Sequence, residues 1–262
     1  MNFSADLVMS WIASYAWPYS RLAAMLMTMF VIGSQNVPVM VRAKLALVVT
    51  AVMAPVLPAM PEVPLFSGNG LLITVQQVLI GVAIGFASQL LSQTFVLAGQ
   101  VIAMQTSLGF ASLVDPINGG SSPVIGQFYL MLGALVFFAV DGHIAMLHLM
   151  MMSFTTLPVS TTGLSLPSMQ SLYGFMTVML QMALSVSLAA IVAMLLINFA
   201  FGVMTRAAPQ LNIFSMGFSV SMVCGLLILW LSLGGFMEHF LQHWSQVQGL
   251  MCTLIQTQCE GG

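Results

Sequence analysis

Charge is what this chain most lacks. Four Lys+Arg and six Asp+Glu are spread over 262 residues, 4% of the total, where an ordinary soluble domain carries about 25%. A soluble surface cannot be built from so few, so lipid or other protein must cover most of the chain. The net charge of −2 offers no basic footprint and excludes a nucleic-acid partner. Cysteine is scarce as well, and three are too few for a disulfide framework. Cys224 sits inside an apolar run and reads as a small packed residue, while Cys252 and Cys259 would pair only if the C-terminal end faces the periplasm. No positive residue precedes Arg21, so the first apolar stretch lacks the form of a removable leader and is expected to remain as an anchor. A phosphate loop and a nucleophile elbow are both missing, which argues against an enzyme and against a bound cofactor.

What is present is apolar length. Hydrophobic residues make up 60% of the chain, and no charge lies between Glu62 and Asp115, between Asp141 and Arg206, or between Arg206 and Glu238. A crossing helix needs roughly 20 apolar residues. The runs are continuous rather than alternating, which favours helices over a membrane barrel. The expected fold is an all-α membrane protein of long apolar helical hairpins with an irregular central loop. Six principal segments are predicted, over about 7–33, 45–54, 71–104, 124–157, 169–205 and 213–233. Residues 34–44, with Pro38, Arg42 and Lys44, read as a turn, and the fourth segment is broken at Asp141-Gly142-His143. The tail, 236–258, has the period of an amphipathic helix.

Several features have two readings. Pro55, Pro58, Pro61 and Pro64 fall at every third position and would share one face of a polyproline strut, or simply form a stiff linker. Gly81 and Gly85 permit close helix contact. Asp141 and His143 form a candidate intramembrane polar site, or an interfacial turn. Glu238, His239 and His243 include a metal-compatible spacing, but a solvated amphipathic face is the simpler account, and no metal is expected. Arg21 snorkels, or pairs with an Asp or with backbone carbonyls of a neighbour. The 24 methionines, among them Met25, Met27, Met29 and Met150 to Met152, suit a deformable seal or plain packing filler. Arg42, Lys44 and Arg206 fall on one side of a six-span topology, which the positive-inside rule makes cytoplasmic. Both termini are then expected in the periplasm.

Four motifs carry a resemblance that spans nearly the whole chain in collinear order. They are VPVMVRAKLALVV over 37–49 followed by Pro55 and Pro58; GQVIAMQTSLGFASLVDP over 99–116; DGH at Asp141 to His143 with SFTTLPV over 153–159; and RAAPQLNIF over 206–214 followed by Gly217-Phe218. Together they resemble the FliR family, the R subunit of the flagellar type III secretion export gate. The resemblance implies a FliP-like helical part (1–168), a FliQ-like hairpin (169–235) and an amphipathic tail (236–262). It implies FliP-like, FliQ-like, FlhB-like and FlhA-like partners in the bacterial inner membrane at the flagellar basal body, around a closed helical channel for unfolded flagellar proteins. It also implies a pore plug over about 106–122, carried by Gly109, Phe110, Ala111, Ser112, Leu113 and Val114, then Asp115, Pro116, Ile117, Gly119 and Gly120. Apolar residues there would close a channel by dewetting. Arg206, Pro209, Gln210, Asn212 and Phe214 would form a cytoplasmic hairpin turn that touches partners. The alternative is a small-solute or ion secondary transporter or channel, which a broken helix and an intramembrane acid would suit.

Overall fold

The computed structural model describes residues 5–61, 63–110, 124–207 and 213–257. Eight α-helices account for most of them: α1 (Ala5–Thr28), α2 (Val39–Met53), α3 (Gly68–Gln105), α4 (Val124–Ala139), α5 (Gly142–Thr156), α6 (Leu166–Ala207), α7 (Ile213–Ser232) and α8 (Phe236–Leu254). No strand occurs among the described residues, and the protein is an all-α membrane protein. Four stretches among the described residues are long and apolar enough to cross a membrane: Val39–Val56, Gly68–Gln105, Leu166–Ala207 and Gly217–Leu254. The pair α4 and α5 passes as a fifth only when taken together, bent by 65°. At 1.5 Å per residue the 38 residues of α3 span about 57 Å, nearly twice a hydrocarbon core of about 30 Å.

One boundary differs from expectation. Arg42 and Lys44 lie inside α2 rather than in a turn. Arg and Lys are good helix formers, and Pro38 at the N-cap, with ψ 138°, sets the helix start ahead of them. The tail forms the helix its period predicts, α8, joined to α7 by a 3₁₀ turn at Leu233–Gly235.

The chain packs as two units. The first holds residues 1–91, 137–176 and 245–262; the second holds 92–136 and 177–244. In the first, α1 buries a stripe of Ala13, Trp17, Arg21 and Met25, joined by Leu22 and Leu26 and continued just past its end by Met29. The facing stripe on α3 is Ile73, Gln77, Ile80, Ile84 and Ala87. Gly81 and Gly85 let the two backbones meet: a β-carbon on Gly81 would overlap the Arg21 carbonyl, and one on Gly85 would sit 2.7 Å from the Met25 carbonyl oxygen. Trp17 Nε1 donates to Thr74 Oγ1 at 3.2 Å across the same seam. Ser67 caps α3, its Oγ accepting the Gly70 N–H at 3.0 Å.

Arg42 is buried and closes the end of α1. Its guanidinium donates to the carbonyls of Val37 (2.7 Å), Ser34 (3.0 Å) and Gly33 (3.2 Å). These groups lie in the loop after α1, where no helix ladder supplies donors, and of them Ser34 also accepts the Val37 N–H at 3.2 Å. Val31 in that loop has φ 67°, a left-handed conformation that costs an L-residue roughly 1–2 kcal/mol.

In the second unit the core is aromatic. Phe95 of α3 lies 4.9 Å from Phe236 and 5.5 Å from Phe240 of α8, ring centre to ring centre. Tyr129 of α4 adds a contact to Phe236 at 5.6 Å and a 2.9 Å hydrogen bond to Ser232. His243 is fully buried, with Nε2 2.7 Å from Thr94 Oγ1. The expectation of a solvated histidine face on this helix is thereby corrected for His243. Periodicity marks which side of a helix is polar, but a His paired with a Thr is satisfied without water.

The methionines divide between roles. Met25, Met29, Met146 and Met150 are buried in the first unit, whereas Met131, Met169 and Met204 are exposed. Packing filler accounts for the first group.

Candidate functional site

The segment expected to plug a pore lies mostly outside the described residues. Of it, Gly109 and the backbone of Phe110 are placed, in a 3₁₀ turn at Leu108–Phe110. Ala111, Ser112, Leu113, Val114, Asp115, Pro116, Ile117, Gly119 and Gly120 are outside. What the structure does define is how the segment is held at each end. Its two flanks, α3 and α4, make a glycine-to-glycine crossing: a β-carbon on Gly99 would lie 2.7 Å from the α-carbon of Gly126. Thr106 is buried at the end of α3, its Oγ1 bonded to the Ile102 carbonyl at 2.9 Å. Gly225 of α7 presses on it so closely that a β-carbon would overlap the Thr106 side chain. Ser107 then takes φ 61° and ends the helix. The segment's two flanking helices are thus packed backbone to backbone at Gly99 and Gly126.

The hairpin site is placed in part. Arg206 stands exposed in the last turn of α6, where a cation opposes the negative end of the helix dipole. Pro209, Gln210 and Asn212 are outside the described residues. Phe214 lies in α7, with its side chain outside them. Above that turn the hairpin is strongly apolar outward. On α6, Ala183, Ser187, Ala190 and Met194 form one narrow buried stripe, while Leu184, Leu188, Leu195 and Phe199 are exposed. On α7, Val223, Leu227 and Trp230 are exposed as well.

Asp141 and His143 sit at the bend between α4 and α5. Asp141 is exposed with φ 54°, a left-handed geometry that Asp tolerates better than most residues. Its carbonyl accepts the N–H groups of Ile144 (2.9 Å) and Ala145 (3.0 Å), which starts α5. A β-carbon on Gly142 would collide with the Phe137 ring, so the D-G pair serves the bend. The His143 ring packs edge-on to Phe138 at 5.1 Å, and no bond joins it to Asp141 among the described residues. No group of three metal-binding side chains occurs among the described residues.

Sequence reasoning found Arg21 but left its partners open. It is fully buried, and its acceptors are at the end of α5. Nη1 donates to the Ser153 carbonyl and Nη2 to the Leu157 carbonyl, both at 2.9 Å. Nε donates to Gln77 Oε1 at 2.7 Å, and Cζ lies 4.2 Å above the Phe154 ring. Of the outcomes foreseen, pairing with backbone carbonyls is the one observed. Arg21 and its acceptors here, and Thr94 with His243, are engaged with one another, while Gln77 Nε2 is buried without a hydrogen-bond partner among the described residues.

These features define a class: a helical membrane protein with an interrupted central helix pair and wide apolar faces left for lipid or other chains. Residues 12–247 match the family of bacterial export proteins, family 1. The chain is 33% identical to the flagellar biosynthetic protein FliR of Escherichia coli (strain K12), over 97% of each chain. It is 32% identical to that of Pectobacterium carotovorum subsp. carotovorum, again over 97% of each. With the FliR protein of Caulobacter vibrioides it shares 33% identity over 90% of this chain and 93% of that one. The chain belongs to this family of export proteins, as a member of its flagellar FliR branch.

Proposed function

We propose that this chain is the R subunit of the flagellar export gate, and that it forms with FliP-like and FliQ-like chains a closed helical channel for unfolded flagellar proteins. The observation that carries the reading is the outward face of α6 and α7. The 42-residue α6, long enough to leave the bilayer, and the 20-residue α7, about one hydrocarbon core in length, expose Leu, Phe and Trp along most of their length, and aqueous exposure of that much apolar surface is unfavourable. Partner helices would cover it. In this reading residues 1–168 are FliP-like and 169–235 are the FliQ-like hairpin. The chain itself is a structural component, and FlhA-like and FlhB-like proteins supply energy and substrate choice. Coexpression with FliP-like and FliQ-like chains should give a discrete complex of defined mass, and the isolated chain should behave poorly in detergent. A well-behaved, functional homo-oligomer made by this chain alone would refute the assignment.

The plug reading rests on the resemblance and on the locked flanks at Gly99–Gly126 and Thr106–Gly225. Deleting a few residues within 110–114 should spare the scaffold, because an irregular Gly/Ser-rich loop contributes few buried helix contacts. It should also open a wet path through the channel. The expected result is an intact complex whose membrane leaks small ions or solutes. A complex as tight as wild type after the deletion would rule the plug out, and loss of the complex would show the segment to be a packing connection.

Orientation has its own test. Arg206 and Lys44 are exposed, and by the positive-inside rule they support a cytoplasmic α6–α7 turn. A Gln210→Cys variant should react with a membrane-impermeant maleimide from the cytoplasmic side only. Labelling confined to the periplasmic side overturns the topology, with both termini then cytoplasmic.

A further inference from the structure

We propose that the groove between α1 and α2 retains one membrane phospholipid. One acyl chain lies in the groove, and the ester and phosphate oxygens accept hydrogen bonds from the rings of Trp11, Tyr15 and Tyr19. The groove belongs to the first unit and encloses about 340 Å³, inside the ~300–1,000 Å³ typical of ligand pockets. Ala16 of α1 and Leu47 and Ala51 of α2 give it apolar walls. Thr50 also lines it, but its hydroxyl is engaged within the helix, donating to the Ala46 carbonyl at 2.7 Å. The interior suits hydrocarbon and has little to offer a polar solute.

The ring donors are the second observation. Trp11, Tyr15 and Tyr19 recur every four residues along α1, which sets them on one side of the helix, and all three line the groove. The Trp11 and Tyr15 rings pack as a tilted pair, 5.1 Å centre to centre, and both are exposed. Among the described residues neither the indole N–H nor the two phenol hydroxyls make a hydrogen bond. Donors beside an apolar slot match acceptors that are joined to a hydrocarbon chain, and a phospholipid's ester carbonyls and phosphate oxygens are of that kind. Trp and Tyr gather at membrane boundaries for the same reason, because each has an apolar body and a polar tip. An apolar partner helix fits less well, since its backbone carbonyls are already bonded within the helix and would leave the ring donors unmatched.

Length and charge refine the ligand. From Trp11 to Tyr19 the helix rises about 12 Å, close to the roughly 15 Å of one leaflet's hydrocarbon. Leu47 and Ala51 run from the middle of the apolar stretch Val39–Val56 toward Val56, so the lipid occupies the leaflet away from Lys44. No Lys or Arg is among the lining residues, so zwitterionic and anionic phospholipids should be retained alike. The inference needs only the membrane location of the chain and is independent of the gate reading.

The test is photocrosslinking on the full chain. Cells are fed a fatty acid that bears a diazirine and an alkyne and is built into their phospholipids. Their membranes are solubilised, and the tagged chain is captured with whatever accompanies it and washed in detergent. Only then is it irradiated, so that bulk lipid is gone, and adducts are mapped by peptide mass spectrometry. Adducts should concentrate on 11–19 and 47–51, severalfold above the equally apolar α6 stretch 184–199. Ala51→Phe, which fills the groove from an exposed position, should abolish them, and Leu195→Phe on α6 should not. Tyr15→Phe keeps bulk and removes one hydrogen bond, and should lower the yield roughly two- to tenfold. Membrane immunoblots should show all three variants at wild-type level. Adducts spread evenly over both regions, adducts absent from the groove, or adducts unchanged by Ala51→Phe would overturn the proposal. A photoreactive residue in place of Leu47 that captures a protein instead of lipid would overturn it in favour of a partner helix.

Discussion

Replacing Arg21 by Met should prevent the chain from accumulating. The substitution keeps length and apolar bulk but strands two buried acceptors, Gln77 Oε1 and the Leu157 carbonyl, and takes a second donor from the Ser153 carbonyl, which keeps the Leu157 N–H. Each unsatisfied buried group costs about 1–3 kcal/mol, so the loss is at least about 2 kcal/mol. Two of these carbonyls end α5 and carry the negative pole of its dipole, so a cation there is favoured twice over. An Arg21→Lys variant separates charge from shape. Its ammonium is a point donor without the planar fork, so it should restore part of the stability and not all of it. Membrane-fraction immunoblots, thermal melting of the purified complex and swarm diameter should rank wild type above Lys and Lys above Met. A Met variant that melts within about 1 kcal/mol of wild type would remove Arg21 from the list of structural determinants.

Gly81→Val should be nearly as damaging by a different route. A side chain at Gly81 would overlap the Arg21 carbonyl and come within 2.9 Å of the Ala24 β-carbon. Neither obstacle is the end of a flexible side chain, so α1 itself must shift. Overpacking alone costs about 1–3 kcal/mol, and the shift also pulls Arg21 away from Gln77. Gly174→Ala and Gly202→Ala are the controls. Nothing lies within 4 Å of either position, and Ala is preferred over Gly in a helix by about 1 kcal/mol, so the isolated chain should tolerate both. If Gly202→Ala lowers the yield of complex while the chain still accumulates, that face of α6 is covered by a partner helix.

The long helices were legible because the residues that form them are uninterrupted. Neither a charge nor a proline falls between Ser67 and Asp115, and α3 occupies most of that stretch. The bend was legible in Asp141-Gly142, since a D-G pair tolerates the left-handed residue that a sharp turn demands. The GVAIG spacing was legible as a contact surface, but the identity of its partner, α1, was not, because a small-residue face carries no address. Arg42 was misread for a related reason. Its charge suggested a solvated turn, and only the fold reveals the loop carbonyls of Gly33, Ser34 and Val37 converging on it. His243 failed likewise: sequence period gives a direction around the helix axis, and whether that direction holds water or Thr94 is decided elsewhere in the chain. The plug and the hairpin turn were read from motif resemblance, and the described geometry bears on their flanks at Thr106, Gly126 and Arg206.

The Arg21 contacts also set a clock for biosynthesis. Its acceptors at Ser153 and Leu157 lie 132 and 136 residues later in the chain. At about 5–20 residues per second, a ribosome needs roughly 7–27 s to reach them. Gln77 follows after 56 residues, but throughout that interval the carbonyl partners of the guanidinium at the end of α5 have not been made. An unpaired charge is disfavoured at membrane depth, so α1 must wait where its arginine still reaches water or lipid headgroups. It takes its final seat only when the end of α5 arrives. The order of translation and the order of assembly therefore differ, and the first helix to be made is among the last to be locked in place.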